Sequence, residues 1–327
     1  MTTEIVVLND AEVEKLISFD ETMRMIEHAF SDYAMGKSRV FPVIREEIPA
    51  YQGLFGIKSG YLETSDVLGF KAGGFWSNNK NKGLANHQSV IVLFNPATGQ
   101  PCAFVAANFV TQIRTAAIGA LACKYLARPD CRSLAVIGTG QQGRNQLRAT
   151  LKVLPSIKKI YLYDINISSA TTLARDMASS SQEIRVAESP QQACTDADVI
   201  ITTTSSYQAI VLDAWIKPGT HINAIGTDTR GKQELDPAIF SRAMVIVDNK
   251  KQCLYLGECQ HAYTAGIITP ESIDELGEII TKRKSRPADQ NQITIFDTTG
   301  VAIQDLATAG YAFEQTRKKG VGSRIHL

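Results

Sequence analysis

A chain of 327 residues, 44% of them hydrophobic, is long enough for two linked domains of conventional size. Its 34 Lys plus Arg offset 33 Asp plus Glu to a formal charge of +1, with no charged block beyond short clusters such as KRKSR (282–286), so no footprint for nucleic acid or an anionic membrane is present. The opening MTTEIVVLNDAEVEKL lacks a secretory signal pattern, no stretch approaches the ~18 apolar residues of a spanning helix, and the six cysteines form no CxxC pair; a soluble cytoplasmic protein with reduced, mostly buried thiols and no metal is expected.

In chain order, FDETMRMIEHAFSDYAMG (19–36) spaces Met23, Ile26, Phe30 and Tyr33 along one helical face and closes on a Gly stop signal. Short β-rich pieces follow: RVFPVIREEI, GLFGIKSGYL, VLGFKAGGFW and SVIVLFNPATGQPCAFVAA, the last turning at NPATGQP as a hairpin. The pattern changes near residue 115. TAAIGALACKYLA (115–127) reads as a helix of small apolar residues, and strands then alternate with helices. The strands are SLAVIG (133–138), KIYLYD (159–164), EIRVAE (183–188), DVIITTT (198–204), HINAIG (221–226) and AMVIVD (243–248). The helices are QGRNQLRATLKVL, ISSATTLARDMASS and the Ser-capped SPQQACTDA. Near-continuous apolar strands between helices predict an α/β fold with a parallel sheet covered on both faces. ITIFDTTGVAIQDLATAGYAFEQTRKKG reads as one more strand and a helix returning to the first domain. The expected layout is therefore 1–115 and 299–327 as one domain, with 116–298 inserted between them.

The most informative segment is SLAVIGTGQQG (133–143). Gly138, Gly140 and Gly143 form GxGxxG between a strand and a helix, which lets backbone approach a pyrophosphate and aims helix N-terminal N–H groups at its charge. The next strand ends in Asp164, 26 positions after Gly138, slightly beyond the usual ~20. A carboxylate there accepts from a ribose 2′-hydroxyl and repels a 2′-phosphate, so the expected cofactor is NAD(H) rather than NADP(H). A glycine turn of another α/β protein is the competing reading.

Arg45, Lys58, Lys71 and Arg114 stand in or beside apolar segments, where charge is expensive to bury alone. Each by itself reads as a solvated surface residue; together they suit an anionic, carboxylate-bearing substrate. The sequence resembles the ornithine cyclodeaminase/mu-crystallin family, which includes an archaeal alanine dehydrogenase and ketimine reductases. The resemblance runs nearly end to end through VIREE, GFKAGGFW, NKGLANHQSVIVLFNPATGQPCAFV, NFVTQIRTAAIGALACKYLARPD, VIGTGQQG, HINAIGTDTRGKQELDP and FDTTGVAIQDLA. It implies a Rossmann NAD-binding domain inserted into an α+β substrate-binding and dimerisation domain, with homodimers paired through the latter. By the same resemblance Arg45, Lys71 and Arg114 hold the substrate α-carboxylate, Lys71 also lies near the reacting atom, and Asp228 handles protons there. A loop at the carboxyl end of a parallel strand suits such a role, although Asp228 in GTDTRG equally fits an Asx turn. The expected cofactor-binding set is Thr115, Gly138, Thr139, Gly140, Gln141, Gln142, Gly143, Asp164, Thr203, Thr204, Ser205, Gly226 and Asp228.

Three functions remain open at this level. The leading one is hydride reduction of an imine beside a carboxylate to give an L-amino acid. Lys58, at the expected position of the substrate tail, favours a second carboxylate and hence iminosuccinate reduced to aspartate, which is also the resemblance of KAGGFWSNNKNKGLANHQS. A surface Lys58 fits the pattern as well, and His87 either orders the substrate pocket or steadies a loop. The second function is a cyclodeaminase that releases ammonia from ornithine and recycles bound NAD, for which Glu46, Glu47 and Glu63 are candidate amine partners. The third is a non-catalytic NAD(P)-binding protein like mu-crystallin; alanine dehydrogenase is a further enzyme alternative.

Overall fold

The computed structural model describes residues 4–178, 181–287 and 289–326. The chain divides into two compact units, one made of Met1–Arg114 with Val301–Leu327 and the other of Thr115–Gly300. The elements in order begin with β1 (Glu4–Leu8), α1 (Asp10–Leu16), α2 (Phe19–Ala34), β2 (Ser38–Val40), β3 (Ile44–Ile48), β4 (Gly53–Leu62), β5 (Val67–Trp76), β6 (His87–Phe94), β7 (Pro101–Ala106) and α3 (Asn108–Leu126). Next come β8 (Ser133–Ile137), α4 (Gln141–Val153), β9 (Lys159–Tyr163), α5 (Ile167–Asp176), β10 (Glu183–Val186), α6 (Pro190–Cys194), β11 (Val199–Thr202), β12 (Tyr207–Val211) and β13 (His221–Ala224). Then follow β14 (Gln233–Leu235), β15 (Ala243–Val247), α7 (Lys250–Leu256), α8 (Cys259–Thr264), β16 (Ile273–Glu275), α9 (Leu276–Ile280), β17 (Ile293–Asp297), α10 (Ala302–Lys319) and β18 (Ser323–His326).

In the first unit an eight-stranded sheet runs β18-β1-β7-β6-β5-β4-β2, with β3 also paired to β4. Helix α2 starts where Ser18 and Glu21 exchange hydrogen bonds in a capping box, a device that stabilises a helix start by about 1 kcal/mol. Of its predicted apolar face, Ile26 and Phe30 are fully buried while Met23 and Tyr33 are half-buried. Helix α10 packs on α2 and across β4, β5 and β6, burying Ala302, Ile303, Leu306, Ala309 and Ala312. The NPATGQP turn joins antiparallel β6 and β7, as its composition predicts.

The second unit holds a parallel sheet in the order β10-β9-β8-β11-β13-β17-β15-β16. The arms β10-β9-β8 and β11-β13 reverse direction of progress at β8, the switch point of a Rossmann-type sheet. Strands β8, β11 and β13 are buried throughout, which explains their near-continuous apolar runs. Strand β17 is inserted between β13 and β15, within the 116–298 span expected for the inserted domain, and the chain after it, α10 and β18, joins the first unit. Helix α3 begins at Asn108, seven residues before the predicted TAAIGALACKYLA start. The predicted end of ISSATTLARDMASS falls on residues 179–180, outside the described residues; α5 itself closes at Asp176. Five of the six free cysteines are buried and Cys102 is half-buried. Among the described residues no helix is long and apolar enough to cross a membrane.

Candidate active site

In the first unit the two-residue period of the strands sorts side chains by face. Arg45 pairs with Gly56, Gly56 with Gly73, Lys58 with Lys71, and Phe75 with His87, so Arg45, Lys58, Lys71 and His87 share one face of the sheet. Helix α10 lays Asp305 on that face. Its Oδ1 accepts from Lys71 Nζ at 2.8 Å and from Arg114 Nε at 2.9 Å, while Gln304 Oε1 accepts from Arg114 Nη1 at 2.9 Å. Thr111 Oγ1 lies 3.4 Å from Lys71 Nζ.

Lys71 and Arg114 are 7% and 6% exposed, and Asp305 is fully buried. Burial pushes the Lys71 ammonium down and Asp305 opposes it, leaving it at about 8. Burial would raise the Asp305 carboxyl, but Arg114 and Lys71 outweigh that and hold it at about 2. His87 is driven down to about 4 by burial and by Lys71 and Arg114, so at neutral pH it is an uncharged hydrogen-bonding group. A buried ion trio gains little stability over apolar packing of the same volume. Such a cluster is a candidate functional site.

In the second unit the glycine-rich turn is built as its spacing requires. Gly138 has φ +95°, and its carbonyl accepts from Thr203 Oγ1 at 2.7 Å. A Cβ on Gly143 would stand 2.0 Å from that same carbonyl, so α4 abuts the turn only because residue 143 has no side chain. Helix α4 starts at an N-cap Gly140 with no side chain capping it, and a Cβ at 140 would meet nothing within 4 Å. An uncapped helix start with open space before it fits a phosphate. Asp164 is tied to this turn: its Oδ2 accepts from Thr139 N at 2.7 Å and Thr139 Oγ1 at 3.0 Å, and its Oδ1 from Asn166 N at 2.9 Å. Each carboxylate oxygen accepts more than one bond, so Oδ1 retains capacity for a ribose hydroxyl. Thr115 lies in α3 with its carbonyl held by Gln146 Nε2, Gln141 and Gln142 open α4, and Ser205 is exposed beside half-buried Thr203 and Thr204.

Asp228 follows β13 and is one-third exposed at its side chain, where Oδ1 accepts from Lys232 Nζ at 2.9 Å and Thr229 Oγ1 at 3.1 Å. Beneath this loop lie two buried glutamates that sequence reasoning missed. Glu234 accepts from Thr202 Oγ1, Thr204 N and Gly226 N, bracing the carboxyl ends of β11 and β13. Glu258 accepts from Thr227 Oγ1 and from the backbone N–H of Glu234 and Leu235. Burial, reinforced by Glu234, pushes Glu258 up to about 8. Asp305 and Gln304 were also missed, although Asp305 stands three residues after Ala302 and four before Ala309 on the apolar stripe of α10, where a solvated acid does not belong.

A parallel sheet with a glycine turn at its switch point, carried between the two chain segments of an α+β unit, is a Rossmann-type domain inserted into a second domain. The chain belongs to the ornithine cyclodeaminase/mu-crystallin family, whose pattern matches residues 3–320. Iminosuccinate reductase from Paracoccus denitrificans (strain Pd 1222) is 38% identical over 323 residues, covering 99% of this chain and 100% of that one. Its structure in complex with NAD+ gives a TM-score of 0.91 over 99% and 100% of the two chains. An archaeal alanine dehydrogenase dimer with bound NAD is 36% identical, with a TM-score of 0.93 over 99% of each chain. Thermococcus litoralis Δ1-pyrroline-2-carboxylate reductase, solved with NADH and L-proline, is 34% identical, with a TM-score of 0.93 over 98% of this chain and 100% of that one. The family and the α/β architecture inferred from sequence are thereby borne out.

Proposed function

We propose that this NAD-dependent enzyme, an imine reductase or amino-acid dehydrogenase, reduces iminosuccinate to aspartate. The observation that carries the substrate is the cation cluster: Arg45, Lys58, Lys71 and Arg114 in one unit, against the buried carboxylate of Asp305. That excess of positive charge complements a dicarboxylate better than a monocarboxylate. When bound at the Gly138–Gly143 turn, the dinucleotide supplies the hydride that the imine carbon receives. Arg45, Arg114 and Lys71 bind and orient the α-carboxylate, Lys58 takes the tail carboxylate, and Asp228, after taking a proton from solvent, passes it to the nitrogen as the C=N bond becomes C–N. Asp164 favours NADH over NADPH, because a 2′-phosphate would meet its carboxylate. A cyclodeaminase needs a carboxylate for a distal amine. Glu46, Glu47 and Glu63 are exposed, and Asp305 is already bonded to two cations.

The test is NADH oxidation with oxaloacetate, pyruvate or glyoxylate, each with ammonia or methylamine, repeated with NADPH. Oxaloacetate with ammonia and NADH should be fastest by about tenfold or more. Release of ammonia from ornithine with no net NADH consumption, or equal rates with NADPH, would overturn the assignment.

The same unit supports a reading of the protein as a homodimer. On the sheet face opposite Lys71, the cross-strand row Phe70, Val92 and Phe104 is left part-exposed, with Phe104 46% exposed and the Phe70 and Phe94 rings 5.9 Å apart. An open apolar sheet face of this kind suits a second copy. Light scattering should give twice the 35.7 kDa chain mass, and Phe104→Lys should shift the protein to monomer; a monomeric wild-type protein would refute the dimer.

A further inference from the structure

We propose that Asp305 is a positioning residue for substrate reduction, holding Lys71 and Arg114 side by side through one carboxylate oxygen so that both cations face the substrate carboxylate in a fixed, charged arrangement. The inference rests on the reading that these two cations bind that carboxylate, and it adds a group from a distant part of the chain that nothing in the GxGxxG or cation patterns singles out. The geometry carries it. Lys71 Nζ and Arg114 Nε both donate to Oδ1, at 2.8 and 2.9 Å, and neither partner of either bond is more than 8% exposed at its side chain. Oδ2 accepts no hydrogen bond among the described residues, so the carboxylate is held from one side by the two cations. Gln304, its neighbour in α10, takes a second nitrogen of Arg114 and fixes the rotation of the guanidinium plane.

Among the charges around Lys71, that of Asp305 favours its protonation. Arg114 from α3 and Arg45 from β3 repel the ammonium, Lys58 stands directly across from it on β4, and His87 on β6 interacts with it while staying neutral at working pH. Asp305 from α10 is the group that offsets them. With it present, Lys71 keeps its proton up to about 8, so activity that needs the ammonium falls as pH rises through that value. Without it, burial and the charges of Arg114 and Arg45 draw the proton off at lower pH.

The experiment uses the full chain and two independent readouts. The first is the titration of the Lys71 ε-methylene by isotope-labelled lysine NMR, assigned by its disappearance in Lys71→Arg. Asp305→Asn should move the midpoint down by about one unit or more, and Asp305→Glu should return it to within about half a unit of wild type. The second is the pH profile of kcat/KM for the keto acid with ammonia, whose alkaline limb should shift with the NMR midpoint. KM for the keto acid should rise about tenfold in Asp305→Asn while KM for NADH stays level. A Lys71 midpoint unchanged in Asp305→Asn overturns the proposal. Should Asp305→Asn not fold, an Asp305→Glu midpoint displaced by more than about one unit does so instead. Absence of reductase activity in the wild-type protein would overturn the proposed function, and the NMR titration would still decide the role of Asp305.

Discussion

Asp228→Asn or Lys71→Ala is expected to slow turnover about a hundredfold or more while changing NADH affinity by less than about threefold. Under the proposed function the two variants remove different parts of the same chemistry. A carboxamide at 228 has no acidic proton to give, yet it keeps the shape of the loop after β13 and can still accept from Lys232 and Thr229, which now bond to the carboxylate. Loss of one positioned proton donor costs about two to four powers of ten in rate. Removing the Lys71 ammonium deprives the substrate carboxylate and the atom next to it of a cation in a low-dielectric setting, an effect of about 3–4 kcal/mol in comparable sites. It also leaves Asp305 with Arg114 as its remaining cationic hydrogen-bond partner, so Lys71→Ala should lower stability as well. A melting curve separates the two consequences. Single-turnover rates at saturating NADH, together with NADH titration by fluorescence, are the deciding measurements; near-native rates in either variant would refute the assigned role.

Gly143→Ala is expected to abolish useful NADH binding, with affinity lowered about a hundredfold or more, because its Cβ would stand 2.0 Å from the Gly138 carbonyl oxygen and 3.1 Å from Thr203 Oγ1. The atom in the way is backbone, and it cannot step aside without opening the turn that precedes α4. Gly140→Ala is the informative companion. Nothing in the protein lies within 4 Å of a Cβ there, and the residue has φ −67°, so the variant should fold and melt like wild type. Any loss of NADH affinity in Gly140→Ala then reports a pyrophosphate lying over the helix start rather than damage to the fold. Calorimetric titration of both variants checks this, and unimpaired binding in Gly143→Ala would remove the turn from the cofactor site.

Local chemistry made the second unit legible from sequence. Buried parallel strands announce themselves as apolar runs, and the φ of +95° at Gly138 is the conformation that a GxGxxG turn needs glycine to reach. The β-rich pieces of the first unit were legible as strands and the four cations stood out against their apolar surroundings, but the face that Arg45, Lys58 and Lys71 share came from strand pairing. What stayed hidden was set by tertiary packing. The start of α3 at Asn108 was missed because polar Thr111, Gln112 and Arg114 broke the small-apolar pattern that marked its later turns. The place of β17 between β13 and β15 is a matter of strand order, which no local pattern encodes. Asp305 is marked in the sequence only by its place on the apolar stripe of α10; its partners emerge when α10 packs on β5 and brings it to Lys71. Glu234 and Glu258 are the same case, each defined by the loops whose backbone it holds.

The ionic trio that α10 completes also sets an order of events during synthesis. Asp305 is separated from Lys71 by 234 positions and from Arg114 by 191. A ribosome therefore releases both cations, and then the whole contiguous Thr115–Gly300 unit, before their counter-ion exists. The inserted unit can close around its parallel sheet while the nascent segment that precedes it carries buried-type charges with no partner. The ion trio of the first unit is thus completed only when α10 arrives, after the whole of the second unit has been made.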